Sequence, residues 1–371
     1  MRRVASGRVR PDLFFSVTGE SARLSPGALR RLRAYIASLL SEGFPPSVSL
    51  AVVAPEGVLV QAFGGRSCLV DETVATTPAT RYDLASLTKV VCTTTLVLLA
   101  AERGALALED EVVRWLPRYP EPRTTLWHLL THTSGLVAHV PFYLTGTGRG
   151  PIEQALYAEA AGSQPGQVVC YSDLNFMLLG WVLEACLGRS RDRSFEAEVA
   201  APIGLGATGF CPPSADRPCT AATELDGDQR FGPGLVWGEV HDGNAYYLGG
   251  VAGHAGLFAP LSDLARFVQA LLGPEAVRLL SAESIVRMST LQASTGADLR
   301  GLGWRLEPKD WGTWPPGTIW HTGFTGTSLL VSPGARTGVV LLTNSVHPYR
   351  RLEDQAAMRA EVHRLVAEAL L

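Results

Sequence analysis

Strand-like segments lie at both ends of this chain and flank a long helical middle, and this order constrains the fold more than any other feature. Residues 47–54 and 58–64 are apolar and rich in valine, and the Pro-Glu-Gly turn between them predicts a β-hairpin. Toward the other end, short apolar segments are split by Gly and Pro: residues 303–307, 318–322, 328–332 and 338–343. We therefore expect strands from both ends to share one antiparallel sheet.

Helices are predicted before, between and after these strands. In residues 25–42, leucines recur at helical spacing with arginines on the other face, Ser25 is a good N-cap, and Pro26 suits the first helical position. Residues 351–371 have the pattern of a long amphipathic helix. The clearest shorter helices are residues 126–130, 175–187 and 263–272.

These elements predict an α/β (α+β) fold. Residues 25–371 would form a single domain, in which an α/β subdomain comprises about residues 25–85 and 255–371. The mainly helical residues from about 86 to 254 would be an inserted subdomain. The terminal helices would cover the sheet, and ligand sites prefer the junction between such subdomains. The junction is therefore where a functional site is expected.

Composition limits the partners. The chain has 371 residues, 46% of them hydrophobic, and a formal net charge of −3 at pH 7. This charge gives no reason to expect nucleic acid or an anionic membrane as a partner. The expected partner is a small-molecule or peptide substrate, and the sequence does not indicate an oligomeric state.

Residues 1–24 are predicted to be a plain leader. Arginines cluster there, but Pro11 and Asp12 interrupt the segment, and residues 13–17 are shorter than the roughly 7 apolar residues of a signal peptide. The longest apolar run, residues 90–101, is broken by threonines and is shorter than the ~20 residues of a spanning helix. We therefore expect a cytoplasmic protein with no membrane span.

The six cysteines include no C-x-x-C pair. Without an export signal they are expected to be reduced thiols rather than a disulfide framework. A bridge between Cys211 and Cys219, across a proline-rich loop, is the alternative for an exported protein.

The first chemical motif is Ser86-Leu-Thr-Lys89, at the start of a predicted helix that Gly104 ends. Residues three apart share a helix face, so Ser86 and Lys89 are neighbours. Free N–H groups at the helix start can bind an oxyanion. A serine is a weak nucleophile until a base takes its proton, and a lysine in an apolar environment has a lowered pKa that lets it act as that base. Lys89 and Lys309 are the only lysines in the sequence.

Two further motifs follow. Tyr171-Ser-Asp173 comes after a Pro-Gly turn and before an apolar helix, where Asp173 could equally be a simple cap. His321-Thr322-Gly323 ends a strand-like segment, and glycine there allows close approach of a backbone to a ligand. The alternative for the last motif is an ordinary glycine-rich turn.

Taken in order, S-x-x-K, Y-x-[ND] and [KH]-T-G resemble the serine β-lactamase and penicillin-binding-protein superfamily. The segments LWHLLTHTSGL (126–136), YSDLNFMLLG (171–180) and GGVAGHAGLF (249–258) are similar to it as well. The resemblance covers roughly residues 30–345 and is strongest to the class C β-lactamase-like branch, which includes D-alanyl-D-alanine carboxypeptidase-like proteins and esterases.

The resemblance implies a serine hydrolase that works through an acyl-enzyme on amide or ester substrates. Ser86 would be the nucleophile, and Lys89 and Tyr171 would share the proton transfers. A tyrosine with an ordinary pKa near 10 needs a neighbouring cation such as Lys89 to act as a phenolate. The backbone N–H groups of Ser86 and Phe324 would form the oxyanion hole. Water would then deacylate the enzyme, and no metal or cofactor is required.

Two positions depart from the usual pattern of the superfamily. Asp173 replaces the commoner Asn, and an ionised carboxylate cannot donate to a substrate amide; it could instead pair with Lys89 and hold its charge. His321 replaces the commoner Lys, and a histidine with a pKa near 6.5 is largely neutral at pH 7. Together with Thr322, Gly323 and Phe324, both residues are the expected substrate-binding set.

These departures favour a carboxypeptidase-like or esterase-like enzyme. A β-lactamase is the alternative within the same chemistry, and an inactive scaffold with this fold is the alternative of another class. If His321 helps to bind a substrate carboxylate, activity on carboxylated substrates should rise as the pH falls through its pKa.

Other motifs are set aside. Residues 204–209 match G-x-G-x-x-G, but no strand precedes them and prolines follow, so the dinucleotide-binding context is absent. His128 and His132 have a metal-compatible spacing but lack the H-E-x-x-H pattern. His254 lies among small residues and is expected in a structural loop, with an approach to the cleft as the alternative. No G-x-S-x-G elbow is present, which argues against an α/β-hydrolase.

Overall fold

One antiparallel sheet, built from both ends of the chain, organises the protein. The computed structural model describes residues 12–18, 23–159, 161–225, 234–274 and 279–370. The strands are β1 (Leu13–Val17), β2 (Ser47–Ala54), β3 (Gly57–Cys68), β4 (Val74–Ala75), β5 (Tyr82–Asp83), β6 (Gly209–Phe210), β7 (Leu257–Ala259), β8 (Ala293–Thr295), β9 (Asp298–Arg300), β10 (Arg305–Leu306), β11 (Ile319–Thr322), β12 (Ser328–Ser332) and β13 (Thr337–Thr343). The large sheet has the order β1-β3-β2-β13-β12-β11-β10-β9-β8, with β4 beside β3. The predicted shared sheet is therefore confirmed.

Helices cover both faces of this sheet and fill the middle of the chain. The α-helices are α1 (Pro26–Glu42), α2 (Thr95–Glu102), α3 (Val112–Trp115), α4 (Leu126–Leu130), α5 (Arg149–Ala158), α6 (Asp173–Leu187), α7 (Arg191–Phe195), α8 (Ala201–Ile203), α9 (Gly243–Tyr247), α10 (Leu261–Leu272), α11 (Ala282–Ser289) and α12 (Leu352–Ala369). A smaller sheet, β5-β7-β6, joins the start of the middle segment to its end. Its strand β5 leads directly to Ser86.

The central strands β2 and β13 are buried on both faces, and most of their residues are apolar on both faces rather than on alternate positions only. Leu50 and Val52 face a core formed with α1 and α12. Ala51 and Val53 face the second, larger core, which contains residues of α10 and α6. Two cores on one rigid sheet hold the terminal helix α12 and the start of the helical middle in fixed positions.

The expectation that residues 1–24 are only a leader is wrong for part of that segment. Leu13–Val17 is an edge strand that pairs antiparallel with β3, and Leu13 and Phe15 pack against the α1–α12 core. Leu24 forms a bridge with Leu370. The apolar run that is too short for a signal peptide is long enough for an edge strand, which needs only a few residues. Residues 1–11 lie outside the described part of the chain.

The expected single helix from Ser86 to Gly104 is interrupted. Residues Lys89–Thr94 form a π-helical turn, and α2 continues from Thr95 to Glu102. The hydroxyl of Thr95 donates to the carbonyl of Val90, five residues earlier, across this wider turn (2.9 Å). Single π-turns are frequent at functional sites, and this turn begins at Lys89.

Two further observations concern the whole described chain. All six cysteines are free thiols. Within the described ranges, no helix combines the length and the apolar character that crossing a bilayer would require.

Candidate active site

Ser86 lies between β5 and the first helical turn, and the local backbone is tightly held. Ala85 has a positive φ of 46°, which is uncommon for a residue other than glycine. The carboxylate of Asp83 accepts hydrogen bonds from the N–H of Ala85 (2.8 Å) and of His241 (2.7 Å). This buried carboxylate therefore fixes the turn that carries Ser86, which is itself half-buried.

Lys89 is fully buried and has three acceptors around its ammonium group. Its Nζ donates to Ser86 Oγ (2.9 Å), Asp173 Oδ1 (2.7 Å) and the carbonyl of His254 (3.3 Å). Burial alone would lower the pKa of Lys89, but the charge of Asp173, with help from Tyr171, raises it above its ordinary value. The expectation of a lysine with a lowered pKa is therefore wrong, because Asp173 supplies the counter-charge.

Asp173 is the first residue of α6, and its carboxylate contacts two basic side chains. Oδ1 accepts from Lys89 and Oδ2 lies 3.2 Å from His139 Nδ1. Burial opposes its ionisation, yet the charge of Lys89 and the hydrogen bond from His139 hold the pKa of Asp173 below its ordinary value. The alternative raised from the sequence, that Asp173 pairs with Lys89, is the arrangement observed.

Tyr171 stands against the same ammonium group. Lys89 Nζ lies 4.9 Å from the centre of its ring, and the guanidinium carbon of Arg300 lies 5.5 Å from it. His132 packs on the ring with centroids 4.7 Å apart. Two cations beside one phenol stabilise negative charge that develops on its oxygen during proton transfer.

The third motif ends strand β11 beside Ser86. Adding a Cβ to Gly323 would bring it 2.3 Å from the carbonyl oxygen of Leu84 and 2.1 Å from Thr327 Oγ1, so only glycine allows this approach. Thr325 Oγ1 also donates to the carbonyl of Asp83 (2.7 Å). The strand end is thus bonded directly to the segment that carries the serine.

His321 is 3% exposed and turns one ring nitrogen, Nδ1, toward the carbonyl of Thr322 (2.9 Å). Burial holds the pKa of His321 well below its ordinary value, with Lys89 and Arg300 adding to the effect. His321 is therefore neutral at pH 7, as expected from the sequence. Because this shift moves its titration far below neutral pH, a pH-dependent carboxylate contact through His321 has no support near pH 6.5.

Two cavities meet at Ser86, Tyr171 and Phe324. The first has a volume of about 380 Å³ and is called the Asp242 cavity. Besides the shared residues, its lining includes Ala85, His139, Tyr143, Asp173, His241, Asp242, Gly243, Ala255 and Arg350. The second has a volume of about 310 Å³ and is called the Arg359 cavity; its other lining residues are Arg305, His321, Thr322, Gly323, Gln355 and Arg359. A substrate that spans both cavities would place its middle at Ser86.

Arg359, on α12, is a buried guanidinium without a carboxylate partner among the described residues. Its Nη2 donates to the carbonyl of Gly323, and its Nε has no hydrogen-bond partner within the described structure. Burial lowers the pKa of Arg359 to about 9, which leaves it charged at pH 7. A buried cation of this kind is costly unless an anion joins it.

Two backbone donors beside the serine are also unused. Within the described residues, neither the N–H of Ser86 nor that of Phe324 donates a hydrogen bond. Phe324 itself is firmly held, since its carbonyl accepts from Gln355 (2.9 Å) and its ring stacks on His241 (5.6 Å). Arg350 lies on the ring as well, 5.2 Å from its centre. Free, rigid N–H groups at a nucleophile are what an oxyanion hole needs.

The three histidines that were not assigned to a site from the sequence, His128, His132 and His254, each have a defined place in the fold. His132 accepts from the N–H of Ser172 (3.0 Å) and is buried, while His128 caps α4 together with Thr125. His254 is buried but reaches the site, because its carbonyl accepts from Lys89 and its Nε2 lies 2.8 Å from Asp242 Oδ1. In the described ranges, no group of three His, Cys, Asp or Glu side chains could hold a metal ion.

Sequence reasoning missed His139, Asp242 and Arg359. Each comes from a segment far from the three motifs in sequence: a loop, the cap of α9 and the terminal helix. A lone histidine, aspartate or arginine carries no spacing signal, so only the folded arrangement reveals them.

Comparisons with known proteins identify the family and the fold. The model of the Beta-lactamase family matches residues 32–364. A protein of Escherichia coli (strain K12), a D-alanyl-D-alanine carboxypeptidase by name, is 32% identical over 375 residues, covering 88% of this chain and 85% of the relative. Among solved structures, EstCE1, a hydrolase with promiscuous acyltransferase activity, superposes with a TM-score of 0.74 at 20% identity, over 91% of this chain and 98% of that protein. A class C beta-lactamase gives a TM-score of 0.74 at 20% identity, over 92% and 98% of the two chains.

The chain belongs to the beta-lactamase family. It is a serine hydrolase of that family, with the mixed helix and antiparallel-sheet fold of the class C branch. The resemblance expected from the three motifs is thereby confirmed.

Proposed function

We propose that this protein is a D-alanyl-D-alanine carboxypeptidase-like hydrolase, which cleaves a peptide bond next to a free C-terminal carboxylate. The observation that carries the proposal is the unpaired, buried guanidinium of Arg359 in the cavity beside Ser86. A carboxylate is the group that best satisfies a desolvated guanidinium. The name of the Escherichia coli relative supports the same substrate class.

In the proposed acylation step, Ser86 Oγ attacks the substrate carbonyl. Lys89 remains an ammonium ion because Asp173 holds its charge, so it orients Ser86 and does not remove the proton. Tyr171, acting as a phenolate whose negative charge Lys89 and Arg300 stabilise, takes the proton from Oγ. Tyr171 then passes the proton to the departing amine, and the N–H groups of Ser86 and Phe324 receive the oxyanion.

In the proposed complex, the two halves of the substrate occupy the two cavities. The leaving amino acid, with its carboxylate, would occupy the Arg359 cavity, whose volume of about 310 Å³ accommodates a single residue. Thr322 and Gly323 line this cavity along one side. The acyl half would occupy the Asp242 cavity, and Asp173 would contribute there through its charge rather than as a donor. His321 would shape the Arg359 cavity as a neutral side chain.

A β-lactamase activity remains the second candidate, since a β-lactam also carries a carboxylate beside a reactive carbonyl. The Arg359 cavity would bind it in the same way. The distinction lies in deacylation: a carboxypeptidase is held as a long-lived acyl-enzyme by penicillin, whereas a β-lactamase turns it over.

The test compares wild type and Ser86→Ala on an N-acylated D-alanyl-D-alanine peptide, on p-nitrophenyl acetate and butyrate, and on benzylpenicillin, with the intact mass recorded during turnover. We expect release of D-alanine, an acyl adduct on wild type, and a loss of at least about 10⁴-fold in Ser86→Ala. Ser38→Ala, exposed on α1, is the matched control and should keep full activity.

Other outcomes separate the alternatives. Rapid hydrolysis of benzylpenicillin would favour the β-lactamase, and ester turnover without peptide cleavage would favour an esterase. An absence of adducts with every substrate would favour the inactive scaffold.

The expected cytoplasmic location stays a prediction, which fractionation of cells that make the full chain would test.

A further inference from the structure

His139 is joined to the nucleophile by a continuous chain of hydrogen bonds. Ser86 Oγ lies 2.9 Å from Lys89 Nζ, which lies 2.7 Å from Asp173 Oδ1. Asp173 Oδ2 then lies 3.2 Å from His139 Nδ1. The carboxylate of Asp173 thus connects the buried lysine to an imidazole that is 45% exposed and lines the Asp242 cavity.

The loop that carries His139 is fixed by the second motif itself. Ser172 Oγ donates to the carbonyl of Val137 (2.6 Å), and the N–H of Asp173 donates to the carbonyl of Ala138 (2.9 Å). Two consecutive residues of the motif therefore bind the two residues that precede His139. This ladder presents Nδ1 to Asp173 and leaves the outer edge of the ring toward the cavity and solvent.

The other described histidines that line either cavity lack this freedom. His241 turns its Nε2 toward Glu224 (3.0 Å), and its ring stacks on Phe324. His321 is buried, with Nδ1 on a backbone carbonyl. The neighbouring His254 is 1% exposed, and its Nε2 is engaged by Asp242. Among these side chains, His139 alone combines an orienting carboxylate with an exposed ring.

We propose that His139 is the general base of deacylation, with Asp173 orienting its ring. The inference rests on the proposed acyl-enzyme of Ser86 and adds a step to it. A carboxylate on Nδ1 fixes the tautomer that leaves Nε2 free to accept a proton, as in other carboxylate–histidine pairs. Tyr171 serves the acylation half of the cycle, His139 takes the proton from water in the hydrolytic half, and Lys89 acts in both.

Every proton in this step is accounted for. Nε2 of His139 takes a proton from water as the water oxygen bonds to the acyl carbonyl carbon. The tetrahedral adduct collapses, the bond from carbon to Ser86 Oγ breaks, and Lys89 gives Oγ a proton. The proton on Nδ1 of His139 passes through the carboxylate of Asp173 to restore Lys89, which leaves the Nε2–H tautomer. Proton exchange between the exposed ring and water then returns the proton to Nδ1 and frees Nε2. The products are the free acid and the starting enzyme, with every group at its original charge.

The step has a defined pH dependence. The hydrogen bond and charge of Asp173 raise the pKa of His139 above its ordinary value, Asp242 acts in the same sense, and burial and Lys89 oppose it. Since a base must be unprotonated to act, the rate of deacylation should rise with pH through a value above 6.5. The acylation rate should not follow this profile.

The experiment uses His139→Asn, whose amide can keep the hydrogen bond to Asp173 but offers no base. With p-nitrophenyl acetate in the stopped flow, we expect a burst of unchanged rate and a steady-state rate lowered about 100-fold. The acetyl adduct should accumulate by intact mass, and added imidazole should speed its loss at least about tenfold. His128→Asn, at the half-buried cap of α4 outside both cavities, is the matched control.

The outcomes distinguish a failure of the role of His139 from a failure of the proposed function. An adduct that forms on wild type and decays equally fast in His139→Asn refutes the role of His139 and leaves the proposed function intact. The role is also refuted if the adduct decays more slowly in His139→Asn but imidazole does not speed the decay and its pH dependence is unchanged. A merely structural defect would give that result. An absence of adduct on wild type overturns the proposed function and this inference together.

Discussion

Two buried cations lie close to Ser86, and their charges are compensated in opposite ways: Lys89 contacts Ser86 itself, and Arg359 lines the Arg359 cavity. Lys89 has a carboxylate at 2.7 Å and two further acceptors, so its charge is fully compensated. Arg359 has a backbone carbonyl and no carboxylate within the described structure. The part of the site around Lys89 is therefore complete before substrate binds, whereas the part around Arg359 is completed by the substrate.

This comparison has a thermodynamic side. A buried ion pair is stable as a unit but leaves a costly orphan when one partner is removed. An unpaired buried cation costs folding free energy that only a ligand offsets. We therefore expect substitutions of the two cations to differ in sign for stability as well as in their effect on activity.

Among the substitutions that test this comparison, Lys89→Met should have the largest effect. Removing the ammonium leaves the carboxylate of Asp173 buried beside a methionine, so we expect about 3 kcal/mol less unfolding free energy. Ester turnover should fall about 1,000-fold, because both Ser86 and Tyr171 lose their neighbouring cation. Urea denaturation and p-nitrophenyl acetate hydrolysis measure the two effects. Lys309→Met, at the exposed second lysine, should change neither.

A selective effect is expected for Arg359→Met. Loss of the guanidinium should lower kcat/KM about 100-fold for a D-alanyl-D-alanine peptide with a free carboxylate. The same peptide as a C-terminal amide should lose less than about threefold, because it presents no anion. The free energy of unfolding should stay equal or rise, whereas it should fall in Lys89→Met. Equal losses on acid and amide would show that Arg359 does not bind the carboxylate. Arg364→Met, partly exposed on the same helix, is the control.

The smallest effect, about tenfold in activity, is expected for Asp173→Asn. Without the carboxylate, burial lowers the pKa of Lys89, so the alkaline limb of the pH–rate profile should move to lower pH. Because the pKa of Asp173 is lowered on folding, its contribution to stability is present above about pH 4 and is lost as the pH falls through the folded value.

The stability difference between wild type and Asp173→Asn should accordingly be largest near pH 7 and shrink toward pH 3, as denaturation at several pH values would show. Asp354→Asn, in an exposed pair with Arg351, provides the control with no such trend. A difference that does not depend on pH would mean that Asp173 is not held ionised by Lys89.

The sequence was sufficient for the sheet and for the three motifs, because both have local signatures. Turn residues separate the strands β2 and β3, and the buried strand β13 is marked by its apolar run. Ser86, Tyr171 and His321 were found by spacing and order. Their meeting in space follows from β5, α6 and β11 converging on one edge, which the family resemblance implied and composition alone did not.

The electrostatics could not be predicted in the same way. A lysine in an apolar helix predicts a lowered pKa, whereas the observed direction depends on Asp173, 84 residues away in sequence. The π-helical turn at Lys89 likewise has no pattern distinct from that of an α-helix. His139 and Arg359 have no motif around them, so their positions depend on tertiary contacts that spacing does not encode.

Helix α12 covers one face of the sheet and also carries Arg359 and Gln355 to the edge of the site. Strands β11 to β13, which hold Gly323 and Phe324 beside Ser86, also come late in the chain. During synthesis, Ser86 and Lys89 therefore leave the ribosome more than two hundred residues before the groups that complete their cavities. The nascent chain contains its nucleophile early but gains its substrate-binding surface only when α12 has docked, so partially made chains should be inert.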